Sequence, residues 1–145
     1  MKTKMLLFLI LTSFCFTGLD AQESTNTEAQ TDNVKELVVL WTTAEKDVFT
    51  KMIGIYVYNA KKNAWFDEVT FIVWGPSSKL LAEDEEIQGW IEKFKEQGIV
   101  LEACIWCSNQ YGVTEDLKNM GIDVRGMGKS LSDYLNDTNK KVISF

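Results

Sequence analysis

Residues Lys35 to Gly75 read KELVVLWTTAEKDVFTKMIGIYVYNAKKNAWFDEVTFIVWG, and the order of patterns within them decides the fold. KELVVLWTT (Lys35 to Thr43) is a short apolar run between polar residues, as a buried parallel strand requires. Thr43 is the expected cap of the next segment. There Val48, Phe49, Met52, Ile53, Tyr56, Val57 and Ala60 recur at helical spacing, predicting an amphipathic helix to about Lys62. DEVTFIVWG (Asp67 to Gly75) is a second strand, stopped by Gly75 and Pro76.

The alternation continues to the end of the chain. A helical stretch to Gln97 carries Leu80, Leu81, Ile87, Ile91 and Phe94 on one side and stops at Gly98. IVLEACIW (Ile99 to Trp106) reads as the third strand. Thr114, with Glu115 and Asp116, opens a shorter helix ended by Gly121. IDVRGMG is a weaker fourth strand, SLSDYLND a brief helix and KVISF the final strand. Connections of this length imply right-handed crossovers. The expected architecture is therefore a three-layer α/β/α sandwich around a mostly parallel five-stranded sheet.

The first residues, MKTKMLLFLILTSFCFTGLDAQ, carry Lys2 and Lys4, an apolar run and a small residue at Ala21. They read as a secretory signal over residues 1–21, which implies export to a periplasm or to the medium. Residues 22–34 are polar and aperiodic and read as a flexible leader, leaving 35–145 as one domain. No membrane span is expected after the signal is removed. Without Lys2, Lys4 and Asp20, the 15 basic and 21 acidic residues become 13 and 20. That acidic balance disfavours nucleic acid as a partner, because binding it rests on Lys and Arg.

Candidate chemistry narrows by exclusion. There are 0 histidines, so a triad built on a histidine base is impossible. DVRGMGKS ends like a phosphate loop but has Asp123 where the first glycine belongs, and a carboxylate there repels phosphate. GMGKSL fails the dinucleotide fingerprint at its last position, and TTAEKD after the first strand lacks glycine. Structural zinc needs four N or S ligands. The domain offers two thiols, so no metal and no cofactor are expected.

The thiols are Cys104 and Cys107 in EACIWCSN (Glu102 to Asn109). Parallel sheets carry their functional groups at the carboxyl ends of strands. Trp41, Trp74 and Trp106 fall at or beside such ends and are candidate pocket walls with Tyr111; a place in the core or an interface is the alternative. The pair itself reads as a working dithiol or as a small local disulfide, and so short a loop makes a weak staple. A thioredoxin arrangement is disfavoured, because the pair is read as ending a strand and the sole proline, Pro76, precedes it.

The mature domain resembles the DsrE family of small α/β proteins associated with sulfur relay. FIVWGPSSKLLAED and EACIWCSNQYGV carry most of the likeness, and GIDVRGMGKSLSDYL and KVISF agree with it. The resemblance implies a homo-oligomer, trimer or hexamer. It also implies a cysteine at the end of the third strand, eight residues before a glycine, loaded as a persulfide by a sulfur donor and discharged to an acceptor thiol. Cys104 stands eight before Gly112, so the carrier role maps onto Cys104, and Cys107 matches an extra cysteine of some relatives. Tyr111 stands where several carriers have arginine. Two other readings belong beside this one: a thiol–disulfide redox protein using Cys104 and Cys107, and a non-catalytic oligomeric binding module.

Overall fold

The computed structural model describes residues 35–145; the expected signal and leader, 1–34, lie outside the described residues. In order, the elements are β1 (Glu36–Trp41), α1 (Lys46–Val48), a π-helical stretch (Phe49–Ile53), α2 (Gly54–Lys62), β2 (Glu68–Val73), α3 (Ser77–Glu83) and α4 (Glu85–Glu96). There follow β3 (Val100–Cys104), α5 (Ile105–Tyr111), α6 (Thr114–Asn119), β4 (Asp123–Arg125), α7 (Met127–Asn136) and β5 (Lys140–Ser144). The five strands form one sheet in the order β4-β3-β2-β1-β5, and all four pairings are parallel.

That order determines where the helices lie. Each step from β1 to β2, β3 and β4 moves the same way across the sheet, so right-handed crossovers place their helices on one face. The return from β4 to β5 spans the sheet the other way and puts α7 on the opposite face. Side-chain packing agrees. Leu37, Val39, Trp41, Val69, Phe71 and Val73 pack with Phe49, Leu81, Ile91, Phe94 and Leu117 of the first set of helices. Val38, Ile72 and Cys104 point the other way, onto Met127 of α7. The larger core is built round aromatic rings, Trp41 lying 4.5 Å from Phe49 and 5.8 Å from Phe71.

Three local readings are corrected by the structure. Thr43 does not cap the first helix; its Oγ1 accepts from the Glu45 amide at 3.1 Å, and the helix begins at Lys46 with Glu45 as its uncapped N-cap. The helical stretch to Gln97 is two helices, because Asp84 leaves helical geometry and its Oδ1 accepts from the Ile87 amide at 3.1 Å. Most consequentially, the third strand ends at Cys104. Ile105 and Trp106 start α5, so the cysteine pair opens a helix instead of closing a strand. No helix among the described residues is long and apolar enough to cross a membrane.

The α7 face carries two acidic residues inside strands, and each is neutralised. Glu36 accepts from Thr70 Oγ1 at 3.1 Å and pairs with Lys140. Glu102 pairs with Arg125 and accepts from the Tyr134 hydroxyl at 3.0 Å, tying β3, β4 and α7 together. A buried carboxylate without its cation is costly. Arg125→Met is therefore expected to lower unfolding free energy by about 2 kcal/mol, below the roughly 3–5 kcal/mol of a fully buried pair because the arginine keeps part of its surface in water. Urea denaturation of Arg125→Met and of the double variant Glu102→Leu/Arg125→Met checks this. The double variant should recover most of the loss, and equal losses would contradict the assignment.

Candidate functional site at the end of the third strand

The connections after β3 and β4 leave the sheet on opposite faces. Between two such neighbours the carboxyl ends open into a crevice, the position where open α/β sheets bind ligands. Cys104 and Arg125 are the last residues of those strands and register partners across them.

Cys104 has extended backbone (φ −77°, ψ 112°) and serves as the N-cap of α5. Only 3% of it is exposed, and it packs against Val38, Ile72 and Met127. Cys107, three residues on and in the first turn of α5, is half-buried and packs on the cluster that holds Cys104. Both cysteines are free thiols. The backbone amide of Gly75 is near enough to Cys107 to favour its thiolate. The chain turns there from β2 towards α3 at φ +76°, a conformation that glycine adopts without steric cost. Ser77 locks the same turn, its Oγ donating to the Trp41 carbonyl at 2.8 Å and accepting from the Trp74 amide at 3.1 Å.

These contacts set the proton affinity of Cys107. Burial pushes its thiol above the ordinary value, the hydrogen bond to Cys104 adds to the rise, and the Gly75 amide opposes both. Arg125 does not offset this. Its guanidinium is committed to Glu102, to Asp123 at 2.7 Å, to Ser130 Oγ at 3.0 Å and to Met127 Sδ at 3.5 Å. The N-cap side chain makes no capping bond to the first amides of α5.

The four aromatic candidates separate. Trp74 packs on the cluster that holds Cys104 and Cys107. Trp106, between the cysteines, is 72% exposed. Tyr111 lies one turn beyond Cys107 and lines a cleft of about 210 Å³ with Ala44, Pro76, Lys79, Leu80 and Glu83. Trp41 is fully buried among Phe49 and Phe71 on the opposite face, so its side chain belongs to the core and not to the pocket. Its backbone still serves the rim through the Ser77 bond.

Met127, Gly75 and the Glu102–Arg125 pair were not singled out from the sequence. Glu102 did leave a signal: a lone acid in the apolar run VLEAC, two residues before a cysteine, shares its sheet face and requires a cation. Among the described residues no group of three or more His, Cys, Asp or Glu side chains is placed to hold a metal.

Comparison with known proteins places the chain. A conserved protein of unknown function from Bacteroides thetaiotaomicron, BT1422, has a solved structure that matches with 38% sequence identity and a TM-score of 0.74. The match covers 81% of this chain and 99% of that one. The chain belongs to the family of that protein. The ychN protein from E. coli matches over 77% of this chain and 98% of its own, at 14% identity and a TM-score of 0.56, which marks a shared fold. A scan of protein-family models and a search of curated proteins gave no match.

The thiol geometry makes a prediction of its own. Alkylation of Cys107 should be slow near neutral pH and accelerate only in the alkaline range, because the thiolate is the reactive form. Cys104→Ala removes one cause of the raised value, so the rate profile should move to lower pH. Iodoacetamide kinetics read by mass spectrometry check this. An unmoved profile, or one moved to higher pH, contradicts the contact.

Proposed function

We propose that this protein is an exported member of the DsrE family that carries sulfane sulfur as a persulfide on Cys104. The observation that carries this reading is the pair of free thiols in contact at the sheet's open crevice, the inner one sheltered and the outer one half-exposed. A persulfide survives when its inner sulfur is shielded and its outer sulfur faces a mouth. Cys104 Sγ is the sheltered inner sulfur of that arrangement, and the half-buried Cys107 lies on the more exposed side, towards which the outer sulfur would extend.

In the loading step the Cys104 thiolate attacks the outer sulfur of a donor R–S–SH. The new bond joins Cys104 Sγ to that sulfur, the R–S bond to it breaks, and R–S⁻ leaves to take up a proton. Discharge is the mirror step: an acceptor thiolate attacks the outer sulfur and Cys104 leaves as thiolate. No external oxidant enters, because the sulfane sulfur is handed on as received. The chain contains 0 histidines, so no imidazole base takes part. The free amides of the first turn of α5 are the groups suited to hold the anionic outer sulfur.

Assembly into a trimer or hexamer belongs to the same reading. Met52, Ile55 and Trp65, large apolar side chains exposed in the connection between β1 and β2, support it. Export is supported by the amino-terminal sequence alone.

One observation favours a second reading, a thiol–disulfide redox protein. Cys104 is an N-cap with Cys107 in the following turn, a placement from which the two sulfurs can bond directly. Mass spectrometry of the unreduced protein, after inorganic polysulfide and persulfide-specific alkylation, separates the two. Sulfur carriage predicts one added sulfur on Cys104, lost in Cys104→Ser and kept in Cys107→Ser. A reversible Cys104–Cys107 bond with no added sulfur in any variant selects the redox reading and removes the first.

A further inference from the structure

The cleft beside the cysteine pair has a charge pattern that selects a ligand class. Its apolar walls are Ala44, Pro76, Leu80 and Tyr111, and its charged members are Lys79 and Glu83, four residues apart on α3. Those two charges form a loose, exposed ion pair. Lys79 Nζ lies 3.8 Å from Glu83 Oε1, too far for a hydrogen bond, whereas the other i,i+4 pairs, Lys51–Asp47 and Lys129–Asp133, close to 2.6 and 2.7 Å. An ammonium and a carboxylate paired this loosely, without a hydrogen bond between them, retain bonding capacity towards a third group that carries both signs.

Size and position narrow the choice. About 210 Å³ is below the range of roughly 300–1,000 Å³ that holds drug-sized ligands, so the cleft suits a molecule of few heavy atoms. It adjoins the thiols by two routes. Pro76 follows Gly75, whose amide lies near Cys107, and Tyr111 sits one helical turn past Cys107.

We propose that this cleft binds the α-amino-acid head of a small thiol donor, Lys79 taking the carboxylate and Glu83 the ammonium. The donor's persulfide then extends along the Gly75–Pro76 turn to the cysteine pair. The proposal rests on the sulfur-carrier reading and supplies its substrate class. A free amino-acid persulfide and the γ-glutamyl end of a short peptide persulfide share this head group, and the experiment separates them.

Loading of Cys104 in the full chain is measured with cysteine persulfide, glutathione persulfide and inorganic polysulfide, in the wild type and in Lys79→Met/Glu83→Gln. Both side chains are more than half exposed, so the variant keeps the fold. The variant should load roughly tenfold more slowly from an amino-acid donor and at the wild-type rate from polysulfide. Slowing with cysteine persulfide alone identifies the free amino acid, and slowing with both organic donors admits the peptide. Equal rates with all donors, or equal slowing with all, overturns the proposal.

Titration with S-methylcysteine, followed by NMR, reads the cleft without sulfur transfer. Shifts at Lys79, Glu83 and Tyr111 in the wild type, weakened roughly tenfold in the variant, support the cleft even where polysulfide fails to load Cys104. Absence of shifts in the wild type overturns it.

Discussion

The handedness of strand connections is the constraint on which the rest of the molecule depends. Three successive crossovers in one direction fill one face of the sheet with helices, and a single reversal sends α7 to the other. The reversal is the return from β4 to β5, so the connections that leave β3 and β4 diverge to opposite faces. Topology therefore makes the carboxyl end of β3 the place where the connections part, and sequence puts a cysteine there. The same reversal leaves one helix, α7, to cover the second face, which is why Cys104 meets Met127 and lies beside polar residues of β4.

Electrostatics then decides what the crevice can hold. Arg125 is the register partner of Cys104, yet Glu102 and Asp123 already claim its charge. Its effect is to neutralise a buried carboxylate and fasten three elements below the thiols, with Tyr134 as the third tie. The Tyr134 phenol is raised above its ordinary value by burial and by the adjacent Glu102 carboxylate. The neutral phenol is thus favoured in the folded state, and its contribution to stability is present below the unfolded phenol's value and lost as pH rises through the folded one. Near neutral pH the latch is unaffected by titration of that group.

Much of this was legible in the sequence, and the misses have physical causes. Strand runs such as LVVL and TFIV are continuous and apolar because both of their faces are buried, and that pattern fixed the parallel α/β class. The break at Asp84 was hidden in AEDEEIQ, where every acidic residue resembles a solvated helix face and only one caps. The end of β3 was hidden because ACIW stays apolar across the strand–helix junction, where periodicity cannot tell the two apart. Trp41 misled for a related reason: the end of a strand places the backbone at the rim, while the alternation of side chains decides which face receives the ring. The cleft had no sequence signature at all, since Ala44, Pro76 and Tyr111 come from three separate loops and helices.

The proposed sulfur carriage turns on which sulfur atom is loaded. A crystal structure of the protein after treatment with inorganic polysulfide tests that most directly. The account predicts one additional sulfur about 2 Å beyond Cys104 Sγ, beside Cys107 and beneath Trp74, with Cys107 unmodified. An additional sulfur on Cys107 with Cys104 bare, or a Cys104–Cys107 disulfide with no added sulfur, would contradict it.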